Sequence, residues 1–223
     1  MRIVVLTGAG ISAESGIPTF RGAGGLWEGH RVDDVASPEG WLRNPELVLH
    51  FYNLRRKAVR NAIPNRGHLA LSELQDQHDV RIITQNIDDL HERAGSKQVM
   101  HLHGEILKVR SSIATDLIYD WTDDLHTGDL CALGSQLRPH IVWFGEEVPM
   151  MEPAIEEVMQ ADMLFIIGTS MVVYPAASLL QFAPDDAEIF FINPVRPEML
   201  SRRSIRFIDE PAGTGVDAAI RML

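Results

Sequence analysis

His103, the second histidine of His101-Leu102-His103-Gly104, is the side chain best suited to move a proton near neutral pH, because an unperturbed imidazole titrates there. Its plainer use would be as a core or capping histidine. On a strand His101 shares its face, opposite Leu102, which suits a structural part for His101. Thr84-Gln85-Asn86-Ile87-Asp88-Asp89-Leu90-His91 offers two side-chain amides for hydroxyls or ordered water, and a carboxylate at Asp88 that can accept from an amide N–H. The plainer use of that segment is an Asx turn capping a helix before Leu90, a task Asp89 could do alone. Gly8-Ala9-Gly10-Ile11-Ser12-Ala13 follows an apolar run directly. Glycines at such a turn let a backbone approach a pyrophosphate, although a simple strand-to-helix turn uses them too. Tyr52 and Arg55 stand three residues apart, so on a helix they share one face and could together hold a carboxylate.

These groups need a scaffold, and the pattern supplies one. Arg2 to Thr7 reads as a buried strand, as do Val80–Thr84, Val99–His101, Met163–Ile167 and Glu188–Ile192. Asn44-Pro45 caps and starts a helix whose apolar positions Leu47, Val48, Phe51, Leu54, Ala58, Val59 and Ala62 recur as far as Pro64. Asn65 caps a second helix, and further helical patterns cover Pro153–Ala161 and Pro175–Ala183. Alternating strands and helices predict an α/β fold, a doubly wound, mostly parallel sheet. Residues of about 106–145 break the rhythm and predict a smaller inserted lobe, with strands at Ile106–Arg110 and Ile141–Phe144. The expected organisation is a single domain over 1–223, its larger lobe formed by about 1–105 and 146–223. A helical part near 23–62 is expected to pack with the small lobe.

Composition narrows the classes. Twenty Lys and Arg against 31 Asp and Glu leave a net charge of −11, and no basic run offers a face for nucleic acid. No stretch reaches the roughly 18 apolar residues of a membrane span, and the apolar start ends at Thr7, too soon for a signal peptide. The expected location is cytoplasmic, with neither nucleic-acid nor membrane partners. Cys131 is the only cysteine, which excludes an internal disulfide and a four-cysteine zinc site. An ordinary hydride-transfer enzyme is disfavoured, because the second strand of a dinucleotide-binding unit does not follow the glycine loop until Val80.

The longer string Gly8-Ala9-Gly10-Ile11-Ser12-Ala13-Glu14-Ser15-Gly16-Ile17-Pro18-Thr19-Phe20-Arg21-Gly22 resembles the signature of the sirtuins, the silent-information-regulator family of NAD-dependent protein lysine deacylases. Three more blocks resemble that family in the right order: Thr84 to His91, His101 to Gly104, and Gly168-Thr169-Ser170 with Val173 and Pro175. The resemblance covers nearly the whole chain except the middle of the small lobe. It implies that an acyl-lysine carbonyl oxygen attacks the ribose carbon of NAD as nicotinamide leaves. A ribose hydroxyl deprotonated by a histidine then completes the transfer, giving free lysine and O-acyl-ADP-ribose.

Residue by residue, the resemblance implies His103 as general base, with Asn86 beside it at the reacting centre. The co-substrate NAD is expected at Gly8, Ala9, Gly10, Ser12, Ala13, Thr19, Phe20, Arg21, Gln85, Asn86, Ile87 and Asp88. Its adenosine half is expected at Gly168, Thr169, Ser170, Asn193, Pro194 and Ala212, with Ala212-Gly213 offering backbone amides to adenine. The family usually continues Asn-x-Glu at this point, and Asn193-Pro194-Val195 departs from that pattern, so a carboxylate contact there does not follow from the resemblance. Val142-Trp143-Phe144-Gly145 resembles the substrate strand. Tyr52 and Arg55, with the small Ala23, resemble the bacterial type of the class that removes succinyl and malonyl groups as well as acetyl. The expected partners are acylated lysines of proteins. A protein mono-ADP-ribosyltransferase and a non-catalytic module for NAD or ADP-ribose are the alternatives.

One departure concerns metal. Sirtuins usually hold zinc with four cysteines, whereas Ser111 stands where the first ligand is expected and only Cys131 remains. Zinc is therefore expected to be absent, a mixed site with His126 and His140 being the lesser alternative. Ile113, Leu117, Ile118, Trp121, Leu125, Leu130 and Leu133 are expected to form an apolar core in its place.

Overall fold

The computed structural model describes residues 1–19, 26–197 and 205–223. In chain order its strands are β1 (Arg2–Thr7), β2 (Leu26–Trp27), β3 (His30–Arg31), β4 (Asp79–Thr84), β5 (Val99–His101), β6 (Gly104–Ser111), β7 (Ile118–Asp120), β8 (Leu137–Ile141), β9 (Met163–Ile167), β10 (Glu188–Ile192) and β11 (Ile205–Ile208). The α-helices are α1 (Val32–Val35), α2 (Pro38–Arg43), α3 (Pro45–Asn61), α4 (Arg66–Leu74), α5 (Leu90–Arg93), α6 (Met151–Val158) and α7 (Ala212–Ile220). Ala9–Ser15 and Ala176–Phe182 form 3₁₀ helices. No helix among the described residues is long and apolar enough to cross a membrane.

Six strands pair in the order β11-β10-β9-β1-β4-β5, every contact parallel. Side chains alternate between two cores because strand residues point to opposite faces. Ile3, Val5, Ile82, Phe165, Phe190 and Ile192 pack with Ala70, Leu71 and Leu74 of α4 and Val216 and Ala219 of α7. Val4, Leu6, Ile83, Leu164, Ile166 and Phe191 pack on the other face, with Ala154 and Val158 of α6 and Leu179 of the second 3₁₀ helix. Chain order reverses at β1, which lies between β4 and β9. In open α/β sheets that reversal opens a crevice at the carboxyl ends of the strands.

Local rules place the helices. Asn44 accepts the Leu47 amide at 3.0 Å, with Pro45 beginning α3. Asn65 accepts the Gly67 amide while His68 Nδ1 accepts from the Asn65 amide, a reciprocal cap on α4. A strand is added to the expected five: β11 pairs with β10 in parallel. Its four residues, Ile205-Arg206-Phe207-Ile208, are too few to stand out in the sequence, and of them Ile208 is buried.

The segment between the outer strands forms an antiparallel sheet β7-β6-β8, against which α3 packs through Phe51, Tyr52 and Val59 on Ile106, Ile141 and Trp143. Its far end is closed by Leu49, Val109, Leu125, Cys131 and Leu137, with Trp41, Leu117, Tyr119 and Trp121 partly buried around them. This corrects the expected apolar core. Leu117, Trp121 and Leu125 take part, but Ile113, Ile118, Leu130 and Leu133 are exposed. Val109 and Leu137 of the sheet's own strands and Leu49 of α3 already fill that space. Beside this core, Ser111 Oγ accepts the amides of Ile113 and Ala114 and lies 2.8 Å from Ser135 Oγ, itself 3.1 Å from Cys131 Sγ. Among the described residues no three His, Cys, Asp or Glu side chains converge as a metal site requires.

Candidate active site

A cavity of about 630 Å³ opens at the carboxyl ends of β1, β4, β9 and β10 and runs toward α3. It is lined by Gly8, Ala9, Gly10, Ser12, Ala13 and Thr19 from the first loop, and by Gln85, Asn86, Ile87, Asp88 and His103 from the loops after β4 and β5. Gly168, Thr169, Ser170, Asn193, Pro194 and Ala212 form one end. Tyr52, Arg55, Val142, Trp143, Phe144 and Gly145 form the other. Phe20, Arg21 and Ala23 lie outside the described residues.

Close backbone approach explains the central glycines. The Gly10 amide donates to Gly168 O at 2.8 Å, and a Cβ on Gly10 would lie 2.6 Å from Gly168 Cα. Gly168 has φ +62°, and a Cβ there would fall 2.3 Å from the Ile11 nitrogen. The two loops therefore seal against each other before any ligand is considered, a constraint that a ligand-based reading of the glycines does not contain.

A hydrogen-bond chain crosses the cavity floor. Asn86 Nδ2 donates to Ser12 Oγ at 3.1 Å, and Ser12 Oγ donates to Asp88 Oδ2 at 3.0 Å. Asp88 Oδ1 accepts the Leu90 amide in an Asx turn that leads into α5, whose N-cap Asp89 makes no side-chain cap bond. Burial pushes the Asp88 carboxyl up, against the lowering pull of its Leu90 and Ser12 bonds. Asn86 is in turn held by its own amide, which donates to Thr84 Oγ1 at 3.0 Å.

The two histidines grip successive carbonyls. His101 Nδ1 donates to Asn86 O and His103 Nδ1 donates to Gln85 O, each at 3.0 Å. A carbonyl can only accept, so both rings carry their proton on Nδ1. His101 also reaches Glu92 Oε1 through Nε2 at 2.8 Å. Burial opposes charge on His101, but Glu92, with Asn86 O and Glu105, favours it and the net pKa is raised. His103 has no such carboxylate, and burial lowers its pKa. It is therefore neutral at pH 7, with the Nε2 lone pair available as a base.

At the other end Tyr52 is fully buried, and its hydroxyl accepts from Trp143 Nε1 at 3.0 Å. Its own proton remains available to donate, because burial keeps the phenol protonated. The Arg55 guanidinium lies 4.0 Å from the Trp27 ring and 4.4 Å from that of Phe51, and pairs with the Glu28 carboxylate. Trp27 and Glu28 escaped the sequence reading. Their only signal was Trp27-Glu28-Gly29-His30, a turn with no periodicity around it. Glu146 was also missed. It holds the Trp143 amide at 2.8 Å and is itself held by Arg138 and Arg110.

One local expectation changes, and two expected contacts already have protein partners. Val142 to Phe144 is not a strand: β8 ends at Ile141, and although the Val142 amide still pairs with His103 O, that of Trp143 turns to the Glu146 carboxylate. The Gly213 amide, expected to face adenine, donates to Glu14 Oε2 at 2.7 Å. Asn193 spends its Nδ2 on Val195 O, tying its own loop.

Residues 8–175 match the Sir2 family. A curated NAD-dependent protein deacylase of Helicobacter pylori is 55% identical over 210 residues, covering 94% of this chain and 90% of that protein. One of Bacteroides thetaiotaomicron is 49% identical over 227 residues, covering 99% and 97%. Among solved structures, a Sir2 homologue–NAD complex superposes with a TM-score of 0.89 at 40% identity, covering 99% of this chain and 88% of that one. A Sir2 protein bound to acetylated peptide superposes at 0.82 with 28% identity, covering 99% and 92%.

Proposed function

The chain belongs to the Sir2 family, and we propose that it removes acyl groups from protein lysines at the expense of NAD. The observation that carries this reading is the His103 ring, pinned through Nδ1 to Gln85 O within the cavity that the glycine loops close. The residues present suit a dinucleotide. Small residues Gly8, Gly10, Gly168 and Ser170 line one end, and Asn86 and Asp88 offer polar groups at the centre. When bound, NAD supplies a ribose carbon from which nicotinamide departs.

The chain's own residues then position, shield and move a proton. His103 accepts it at Nε2 from a ribose hydroxyl, and Gln85 O steadies the ring as it becomes cationic. Asp88, fixed by Ser12 and Leu90, suits the carboxamide N–H of nicotinamide. Asn86 stands beside it, held by Ser12 and Thr84. Thr169, Ser170, Asn193, Pro194 and Ala212 suit the adenosine half, while Thr19, Phe20 and Arg21 suit the ribose and pyrophosphate. Val142, Trp143, Phe144 and Gly145 line the cavity and suit the acyl-lysine.

The finer reading concerns the acyl group. Tyr52 and Arg55 offer a phenol proton and a guanidinium at one end of the cavity, a pair that suits a succinyl or malonyl carboxylate. Incubation of acetylated and succinylated peptides with NAD, followed by mass spectrometry, tests the activity. Free lysine with O-acyl-ADP-ribose is expected. ADP-ribose on protein would make the chain a transferase, and no product would make it a binding module.

A further inference from the structure

Glu28 occupies a backbone conformation that glutamate does not favour. Trp27 and His30 pair across a two-residue turn, and Glu28 and Gly29 both have positive φ, +49° and +82°. Turns of this kind prefer Asn, Asp or Gly at both central positions, because other L residues are strained at positive φ. Local preference therefore does not explain Glu28, whereas its side chain does: it ends on Arg55.

The two partners are unequally held. Arg55 is buried, gripped between the rings of Trp27 and Phe51, with a side chain only 9% exposed. The Glu28 side chain is 37% exposed, and among the described residues its carboxylate has no other partner. A buried cation thus faces a carboxylate that is partly open to solvent. Among the described residues Glu28 is also the one carboxylate acting on the Arg55 charge, and both residues line the cavity.

We propose that Glu28 is a built-in counter-ion that an acidic acyl chain must displace from Arg55, and that it sets the balance between neutral and acidic acyl-lysines. The inference rests on the reading of Arg55 as the partner of an acyl carboxylate. With an acetyl group in the cavity Glu28 stays in place, so the buried guanidinium keeps its partner and no charge is stranded. With a succinyl group two carboxylates compete for the same N–H donors, and part of the gain of binding is lost to displacing the first. Specificity is a difference of affinities, and Glu28 moves the two in opposite directions.

Steady-state kinetics on acetylated and succinylated versions of one peptide test this with Glu28→Gln and Glu28→Asn. Asparagine suits the turn, so a folding defect cannot account for its result. Both variants should lower KM for the succinyl peptide and raise it for the acetyl peptide. The succinyl-to-acetyl ratio of kcat/KM should rise about tenfold, with KM for NAD unmoved. Opposite shifts for two peptides in one active site cannot come from general damage. A ratio that stays flat or falls in both variants, while Arg55→Met collapses it, overturns the role of Glu28 and leaves that of Arg55 standing. A ratio unmoved by Arg55→Met removes both.

Discussion

His103 Nδ1 lies 3.0 Å from the carbonyl oxygen of Gln85, and in that pair only the ring can donate. The bond selects the tautomer with a bare Nε2 and aims the ring from a backbone point that cannot titrate. Burial then keeps the ring neutral. Tautomer, orientation and charge state are thus set by one carbonyl and one packed environment.

Replacing His103 with Ala should lower deacylation by about 10²–10⁴-fold while NAD still binds, because a general base contributes about that much. Product formation by mass spectrometry and NAD titration by calorimetry check the two halves. Activity close to wild type would move the base elsewhere.

The pH profile follows from the same burial. The base works when neutral, and its pKa is lowered from 6.5. The acid limb of kcat/KM should therefore fall below that value, so activity holds into mildly acidic buffer. A limb at or above 6.5 would show His103 charged by a partner this geometry lacks.

Arg55→Met should cripple desuccinylation and spare deacetylation. A charge-assisted pair contributes roughly 1.5–3 kcal/mol, a ten- to hundredfold preference when it forms only with the acidic chain. Equal losses on both peptides would assign Arg55 to the fold.

His101 and Glu92 make a pH-dependent contribution to stability. The folded His101 pKa is raised above 6.5, with burial opposing charge and Glu92, joined by Asn86 O and Glu105, favouring it. Its contribution is complete below 6.5 and is lost as pH rises through the raised folded value. Glu92→Gln should therefore lower the melting temperature more at about pH 6 than at about pH 9. An equal drop at both would separate the bond from protonation.

The small sheet should stand without zinc. Purified protein should lack stoichiometric metal, and a chelator should leave Tm unchanged. Ser111→Ala, which strips the acceptor from the Ile113 and Ala114 amides, should cost about 1–3 kcal/mol. One zinc per chain with chelator-induced unfolding would restore a metal to this end.

Much of the fold and site was legible because the signals are local. β1, β5, β9 and β10 have the predicted bounds, and the Asn44 and Asn65 caps act within three residues of themselves. What was misread depends on what lies opposite. Ile113, Ile118, Leu130 and Leu133 are as apolar as Leu125, but only Leu125 meets Leu49 of α3 and Val109 of β6. Trp143 looked like a strand residue until Glu146, three positions on, took its amide.

By itself the sequence determined which chemical groups are available and in what order: the glycine loop, Asn86 and Asp88, His103, and Tyr52 with Arg55. It also determined the alternation of strands and helices, because apolar periodicity is written within a few residues. Only the tertiary structure decided how those groups meet. Strand order brings Gly10 against Gly168 and Ser12 between Asn86 and Asp88, across 158 and 74 residues of chain. The same is true of Glu28 on Arg55, 27 residues away. Such contacts are set by chain crossing and packing, and a buried cation takes whatever carboxylate the fold delivers to it.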